Sequence, residues 1–321
     1  MKFLYKTDIK AMKNVSTCFT LIFLLLSFSC NRDEVFEKEQ YKNVFALISE
    51  SDNVTRKFHD LGEESTGYVS ASLGGTNPTE KDITVNLVED STLIDKFNLV
   101  NFDIDRSKYI QAMPKDKYDI ENYQFTIKAG EINGRLPIRI RPDGLSPDSA
   151  YFIPLRVETF SSYELNPEKS YVLYQVKTKN WWAISNGTTT YNMRAKFKVK
   201  NSESEINLPG TKVMHPISKN EVRIIAGNEK YESDIKVLRS SAIVLKIGDD
   251  NKVEITPYAD IQVKQIDGDK DFPNIFKIEN DGFYTYKTFL LKYEYKGVDK
   301  TTYEIREELR MMYDPKNEDQ F

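Results

Sequence analysis

Short runs in which apolar and polar residues alternate, each stopped by turn residues, make up most of the chain. Asp82–Glu89 places Ile83, Val85 and Leu87 on one face, the period of two that marks a half-buried strand. Further strands are predicted at Tyr68–Leu73, Phe125–Lys128, Leu136–Arg141, Tyr151–Glu158 and Tyr171–Thr178, with Tyr41–Ile48 as a candidate first strand. Gly74 to Pro78, Ala129-Gly130 and Pro142-Asp143-Gly144 supply breaks. Only Asp90–Tyr109 departs from this rhythm, with Leu93, Ile94 and Phe97 at helical spacing. About seven strands joined by turns over roughly 140 residues predict a β-sandwich.

Beyond Asn180 the predicted strands lengthen. They fall at Tyr191–Lys200, Glu221–Ala226, Ser241–Ile247, Lys252–Pro257 and Ile261–Ile266, and Gly248-Asp249-Asp250-Asn251 reads as a hairpin turn. Phe283–Tyr295 sets Phe289, Leu291, Tyr293 and Tyr295 on one face. After Gly297-Val298-Asp299 the chain returns with Tyr303, Ile305, Leu309, Met311 and Tyr313 inward and Glu304, Arg306, Glu308 and Arg310 outward. This is an antiparallel hairpin with one wet face. Glu307, on the inward face, breaks the pattern and implies a buried polar group or a bulge. The expected fold is therefore all-β. A sandwich over 41–180 and a linker at 181–190 lead to an antiparallel up-and-down barrel or second sandwich over 191–321.

The N-terminus follows different rules. Lys2, Lys6, Lys10 and Lys13 precede an apolar core within Val15–Phe28, too short for a stable membrane span. Residues 1–29 read as an export signal, with Met12 as an alternative start. Leu26-Ser27-Phe28-Ser29-Cys30 followed by Asn31-Arg32-Asp33-Glu34 resembles a bacterial lipobox with an acidic surface-export signal, with Ser27 where Leu is usual. That resemblance implies a lipidated Cys30, a tether over 30–40, and an outer-membrane anchor facing the cell exterior. Cys18 leaves with the signal, so no disulfide is expected and stability must come from core size.

Composition narrows the function classes. The 321 residues include 19 Tyr and 18 Phe but only 2 Trp, 2 His and 2 Cys, with a formal charge of −4. Loss of 1–29 removes four Lys and one Asp from 45 basic and 49 acidic residues, leaving 41 against 48, or −7. This acidic balance argues against a nucleic-acid partner. No CxxC or HxxxH pair offers zinc ligands, and no GxSxG, HExxH or phosphate-binding glycine loop occurs. No cofactor is expected. His59 and His215 read as structural, and the chain as non-catalytic.

Sugar binding without a metal needs an aromatic face and planar polar groups. Trp181-Trp182 are the leading candidates, with Asn180, Asn186 and Tyr191 nearby, and Tyr163 and Tyr174 as further aromatics. Against this, adjacent strand residues point to opposite faces, so one indole would plug the sandwich and the other would pack the domain interface. Asp267, Asp269 and Asp271 have the alternation of a calcium loop. However, Phe272 and Ile278 stand where Gly and a bidentate Glu belong, which favours a solvated loop tip.

The first domain resembles the immunoglobulin-like N-terminal domain of Bacteroidetes surface lipoproteins encoded in polysaccharide-utilisation loci. The matching residues are Val85–Val88, Tyr109–Pro114 with Tyr118, Phe125–Gly130, and Leu145 with Tyr151–Val157. The second resembles the companion lipocalin-like domain of the non-enzymatic members, through Tyr191–Arg194 and the hairpin from Tyr284. The resemblance implies a glycan-binding accessory of an uptake system, encoded near an outer-membrane transporter pair, and no transferable ligand residue. A structural or adhesion subunit is the second expectation. A small glycosidase, which needs only two carboxylates, is the third.

Overall fold

The computed structural model describes residues 43–75, 79–186, 189–232 and 234–316. The signal segment, Cys30 and the tether lie outside the described residues. No described helix is long and apolar enough to cross a membrane.

The N-terminal half forms β1 (Val44–Leu47), β2 (Val54–Asp60), β3 (Ser65–Gly74), β4 (Ile83–Glu89), α1 (Thr92–Phe102), β5 (Gln111–Ala112), β6 (Tyr118–Asp119), β7 (Gln124–Ile127), β8 (Asn133–Ile140), β9 (Tyr151–Phe160), β10 (Glu164–Leu165) and β11 (Tyr171–Lys179). They make two sheets. One has the order β10-β1-β3-β8-β6; the other has β2-β11-β9-β4-β7, with β5 beside β9. Alternation puts Leu136, Ile138 and Ile140 of β8 inward, where they meet Phe45, Val69, Ile83, Val85, Ile153 and Leu155 in one buried core. This is the expected sandwich.

Two elements differ from the sequence pattern. The helix is shorter than 90–109, because Asp103 turns to a φ of 48° at its end. Strand β2 is mostly polar, and its place is set by a continuous parallel register on β11, from Val54–Leu173 to Asp60–Lys179. It carries His59 into the interior, where Nδ1 lies 2.6 Å from Ser65 Oγ and Nε2 lies 3.1 Å from Tyr174 Oη. Gly67 is required opposite: a Cβ there would sit 2.0 Å from the Tyr174 hydroxyl oxygen.

The C-terminal half forms β12 (Thr190–Val199), β13 (Ile206–Val213), β14 (His215–Ser218), β15 (Glu221–Ile225), α2 (Ile235–Ser241), β16 (Ala242–Ile247), β17 (Val253–Pro257), β18 (Val263–Gln265), β19 (Ile275–Asn280), β20 (Thr285–Lys296) and β21 (Thr302–Tyr313). One sheet runs β13-β12-β21-β20-β18, with β19 also on β20, and the other runs β14-β15-β16-β17. The two half-barrels close over Tyr191, Phe289, Leu291, Ile305 and Leu309 on one side and Val222, Ile224, Ile243 and Leu245 on the other. An isolated bridge, Lys252–Ile275, links the β17 side to β19, so this half stands between the expected barrel and the expected sandwich.

Glu307 makes no bulge; the β20–β21 register is unbroken from Thr285–Tyr313 to Lys296–Thr302. It is fully buried, 2.8 Å from Lys212 Nζ, and accepts a hydrogen bond from the Tyr293 hydroxyl at 2.8 Å. Lys212 also donates to the Ile225 carbonyl at 2.7 Å. Burial lowers the pKa of this lysine, and the adjacent carboxylate of Glu307 opposes that.

The halves are joined by charge. Arg223 of β15 is fully buried and reaches Asp148, in the loop before β9, by two bonds of 2.6 and 2.5 Å. The Tyr258 ring lies 4.9 Å from the guanidinium. Asn180, just past β11, donates to the carbonyls of Ser218 and Glu221 at 2.8 and 2.9 Å, tying the connector to the β14–β15 hairpin.

Asp148→Ala strands a buried guanidinium and is expected to cost about 3 kcal/mol in urea unfolding; an unchanged midpoint would refute the clasp. Burial holds the His59 and His215 rings down to about 4, with Arg223 adding to the effect at His215. The unfolded chain binds protons near 6.5 that the folded rings refuse. Stability is therefore expected to be fully present above that pH and to fall as the pH drops toward 4. Urea midpoints across this range should decline less in a His59→Gln, His215→Gln variant.

Candidate binding cleft at the domain seam

The two tryptophans do not lie on a strand. The chain leaves β11 at Lys179 and turns, because the Asn180 side-chain carbonyl accepts from the amides of Trp182 and Ala183 at 3.1 and 3.0 Å. Both indoles consequently fall on the same side, edge to face with centroids 5.6 Å apart. Both also meet Phe276 of β19, at 5.4 and 5.8 Å. The expectation of opposite faces, drawn from strand geometry, does not apply to a turn.

The two rings have different surroundings. Trp182 packs half-buried against the C-terminal core, and its indole N–H is buried without a protein acceptor among the described residues. Trp181 is 41% exposed. Its ring is braced edge-on by Tyr313 at 5.6 Å, and Lys287 Nζ stands 4.1 Å from its centre. The same ammonium donates to the Trp181 carbonyl. Burial pulls Lys287 down to about 8. A cation over an indole face is attractive, so Lys287 fixes both the backbone and the ring plane of Trp181.

Both indoles line a cleft of about 560 Å³ between the halves. Asp60 ends β2, Leu61 and Glu63 follow in the β2–β3 connection, Lys219 and Asn220 come from the β14–β15 turn, and Asp249 and Asn251 from the β16–β17 turn. Lys219 pairs with Glu63 at 3.3 Å across the seam. A partly exposed indole among carboxylates and side-chain amides can cover the C–H face of a sugar ring and bond its hydroxyls. Ligand sites favour such junctions between domains.

The other sequence candidates fall elsewhere. Tyr191 is fully buried and donates its hydroxyl to the Trp182 carbonyl at 3.1 Å, so it supports the connector instead of meeting a ligand. Asn186 is exposed, at a φ of 57°, outside the residues lining the cleft. Tyr174 is a core residue bonded to His59, and Tyr163 packs on the sandwich core. Asp269 is taken up by Lys292 at 3.0 Å and by the amides of Asp271 and Phe272, and Asp267 accepts from Gln265 and Asn274. Lys292 supplies the countercharge for Asp269. Of the polar groups lining the cleft, Asn180 is the one the sequence offers beside the tryptophans; the carboxylates and the other amides were not singled out. They come from three distant turns, of which Gly248–Asn251 alone carried a turn signal.

Two family models match the chain, one for an N-terminal domain over residues 36–164 and one for a C-terminal domain over residues 170–310. Among solved structures, a Bacteroides ovatus protein of unknown function is 14% identical with a TM-score of 0.60, over 85% of this chain and 95% of its own. A second from that organism, also of unknown function, is 15% identical with a TM-score of 0.59, over 88% and 94%. An auxiliary nutrient binding protein from Bacteroides thetaiotaomicron is 16% identical with a TM-score of 0.57, over 84% and 95%. At such identities the shared property is the two-domain fold. No curated protein matches the chain. Each half of the chain thus matches a family model of its own, N-terminal over residues 36–164 and C-terminal over residues 170–310.

Proposed function

We propose that the protein is a non-catalytic, lipid-anchored surface protein that binds a glycan in the interdomain cleft and serves an outer-membrane uptake system. The observation that carries this reading is Trp181, partly exposed, held in plane by Lys287 and Tyr313, and set among polar side chains from both halves. The name of the Bacteroides thetaiotaomicron relative and the export-signal pattern of 1–29 support it. A glycosidase would need one carboxyl kept protonated by burial. Asp60, Glu63 and Asp249 are exposed, and Glu63 faces Lys219, which favours binding over hydrolysis. The assembly reading has one observation of its own. At the β19–β20 turn Phe283 is 90% exposed, with Tyr284 and Met312 exposed at the same end of the hairpin.

Affinity gels with the soluble chain from Asn31 onward, run against host and dietary polysaccharides, test the proposal. Retardation by at least one is expected. Trp181→Ala should weaken it about tenfold, or ~1.4 kcal/mol, while Tyr284→Ala leaves it unchanged. Folded protein retarded by none of them refutes the reading. Retardation lost in Tyr284→Ala and kept in Trp181→Ala would move the site to the hairpin tip.

A further inference from the structure

A second cavity, of about 460 Å³, opens at the other end of the β20–β21 hairpin. Lys287 and Tyr295 are eight residues apart on β20, so it lies roughly 26 Å along the strand from the Trp181 cluster at ~3.3 Å per residue. Its walls are aromatic. Phe197 and Tyr303 stack at 4.6 Å, and Tyr295 meets Tyr303 at 5.7 Å. Its polar side is acidic: Glu229 follows β15, and Asp299 sits in the hairpin turn.

Both carboxylates are held in place. Glu229 accepts from the Val298 amide at 3.3 Å, and Asp299 accepts from the Tyr303 hydroxyl at 2.5 Å and the Thr301 amide at 2.9 Å. Among the described residues, neither forms an ion pair with a lysine or arginine, whereas Glu294 pairs with Lys200, and Glu304 with Lys198 and Lys292. Burial and the charge of Asp299 together raise the pKa of Glu229, as expected of an acid that lacks a countercharge.

We propose that this cavity is a second binding site, distinct from the cleft, and that it takes a primary organic ammonium group. Aromatic faces attract cations, and oriented carboxylates accept the N–H groups of an ammonium. The cavity is far larger than a bare ion needs, and two carboxylates fall short of the six to eight oxygens that calcium takes. Tyr295, Tyr303 and Phe197 supply the apolar walls for the carbon skeleton that carries the amine.

Calorimetric titration of the soluble chain at pH 7 with n-hexylamine, its neutral isostere 1-hexanol, and calcium chloride tests this. Saturable binding of hexylamine alone is expected. It should weaken at least tenfold in Glu229→Gln and again in Asp299→Asn, and persist in Trp181→Ala. It should also weaken as the pH falls through the raised range of Glu229, because protonation removes the acceptor charge. Equal binding of hexanol, displacement of hexylamine by calcium, no saturable binding, or indifference to both carboxamide variants would each overturn the proposal. Loss in Trp181→Ala would fold the site into the cleft.

Discussion

The arrangement of the two halves depends on one ion pair. Arg223 is wholly removed from water, and its countercharge, Asp148, belongs to the other domain. A guanidinium in that position is tolerable only while paired. Separating the halves would leave it either unpaired or newly hydrated at the cost of the packing around Tyr258. The seam therefore has one low-energy geometry. Asn180 reinforces it, because two of its side-chain bonds reach the β14–β15 hairpin of the other half while two more shape the connector itself.

Polar groups inside the second half play a similar ordering role. Glu307, Lys212 and Tyr293 satisfy one another within a core of aromatic and aliphatic side chains. Such a network contributes little net stability compared with an apolar core. It does penalise any slip of the β20–β21 register, because a shift of one residue would turn Glu307 away from Lys212. The same register places Lys287 under Trp181 at one end and Tyr303 beside Asp299 at the other.

Alternation of apolar residues made the strands of both halves legible, since period two is a local property of the chain. Polar strand β2 was not legible: its position comes from parallel pairing with β11, more than 100 residues away. Edge strand β13 was hidden by Pro209-Gly210, which reads as a turn and is tolerated at a sheet edge. The tryptophans stood out by their rarity. Their orientation did not, because Asn180 bends the backbone through side-chain bonds that no periodicity records. Tyr191, nine residues beyond Trp182, proved to be core, whereas Lys219, Asn220, Asp249 and Asn251 reach the cleft through tertiary placement alone.

A seam clasped in this way has a kinetic consequence. The cleft walls belong to different domains, yet the buried pair and Asn180 remove the hinge that would let them swing together. The pocket is preorganised, so a ligand loses little conformational freedom of the protein on entry. Residence of a ligand is then set by the contacts of the open cleft alone. A rigid, open cleft of this kind fits the proposed capture and hand-over of a glycan better than its sequestration.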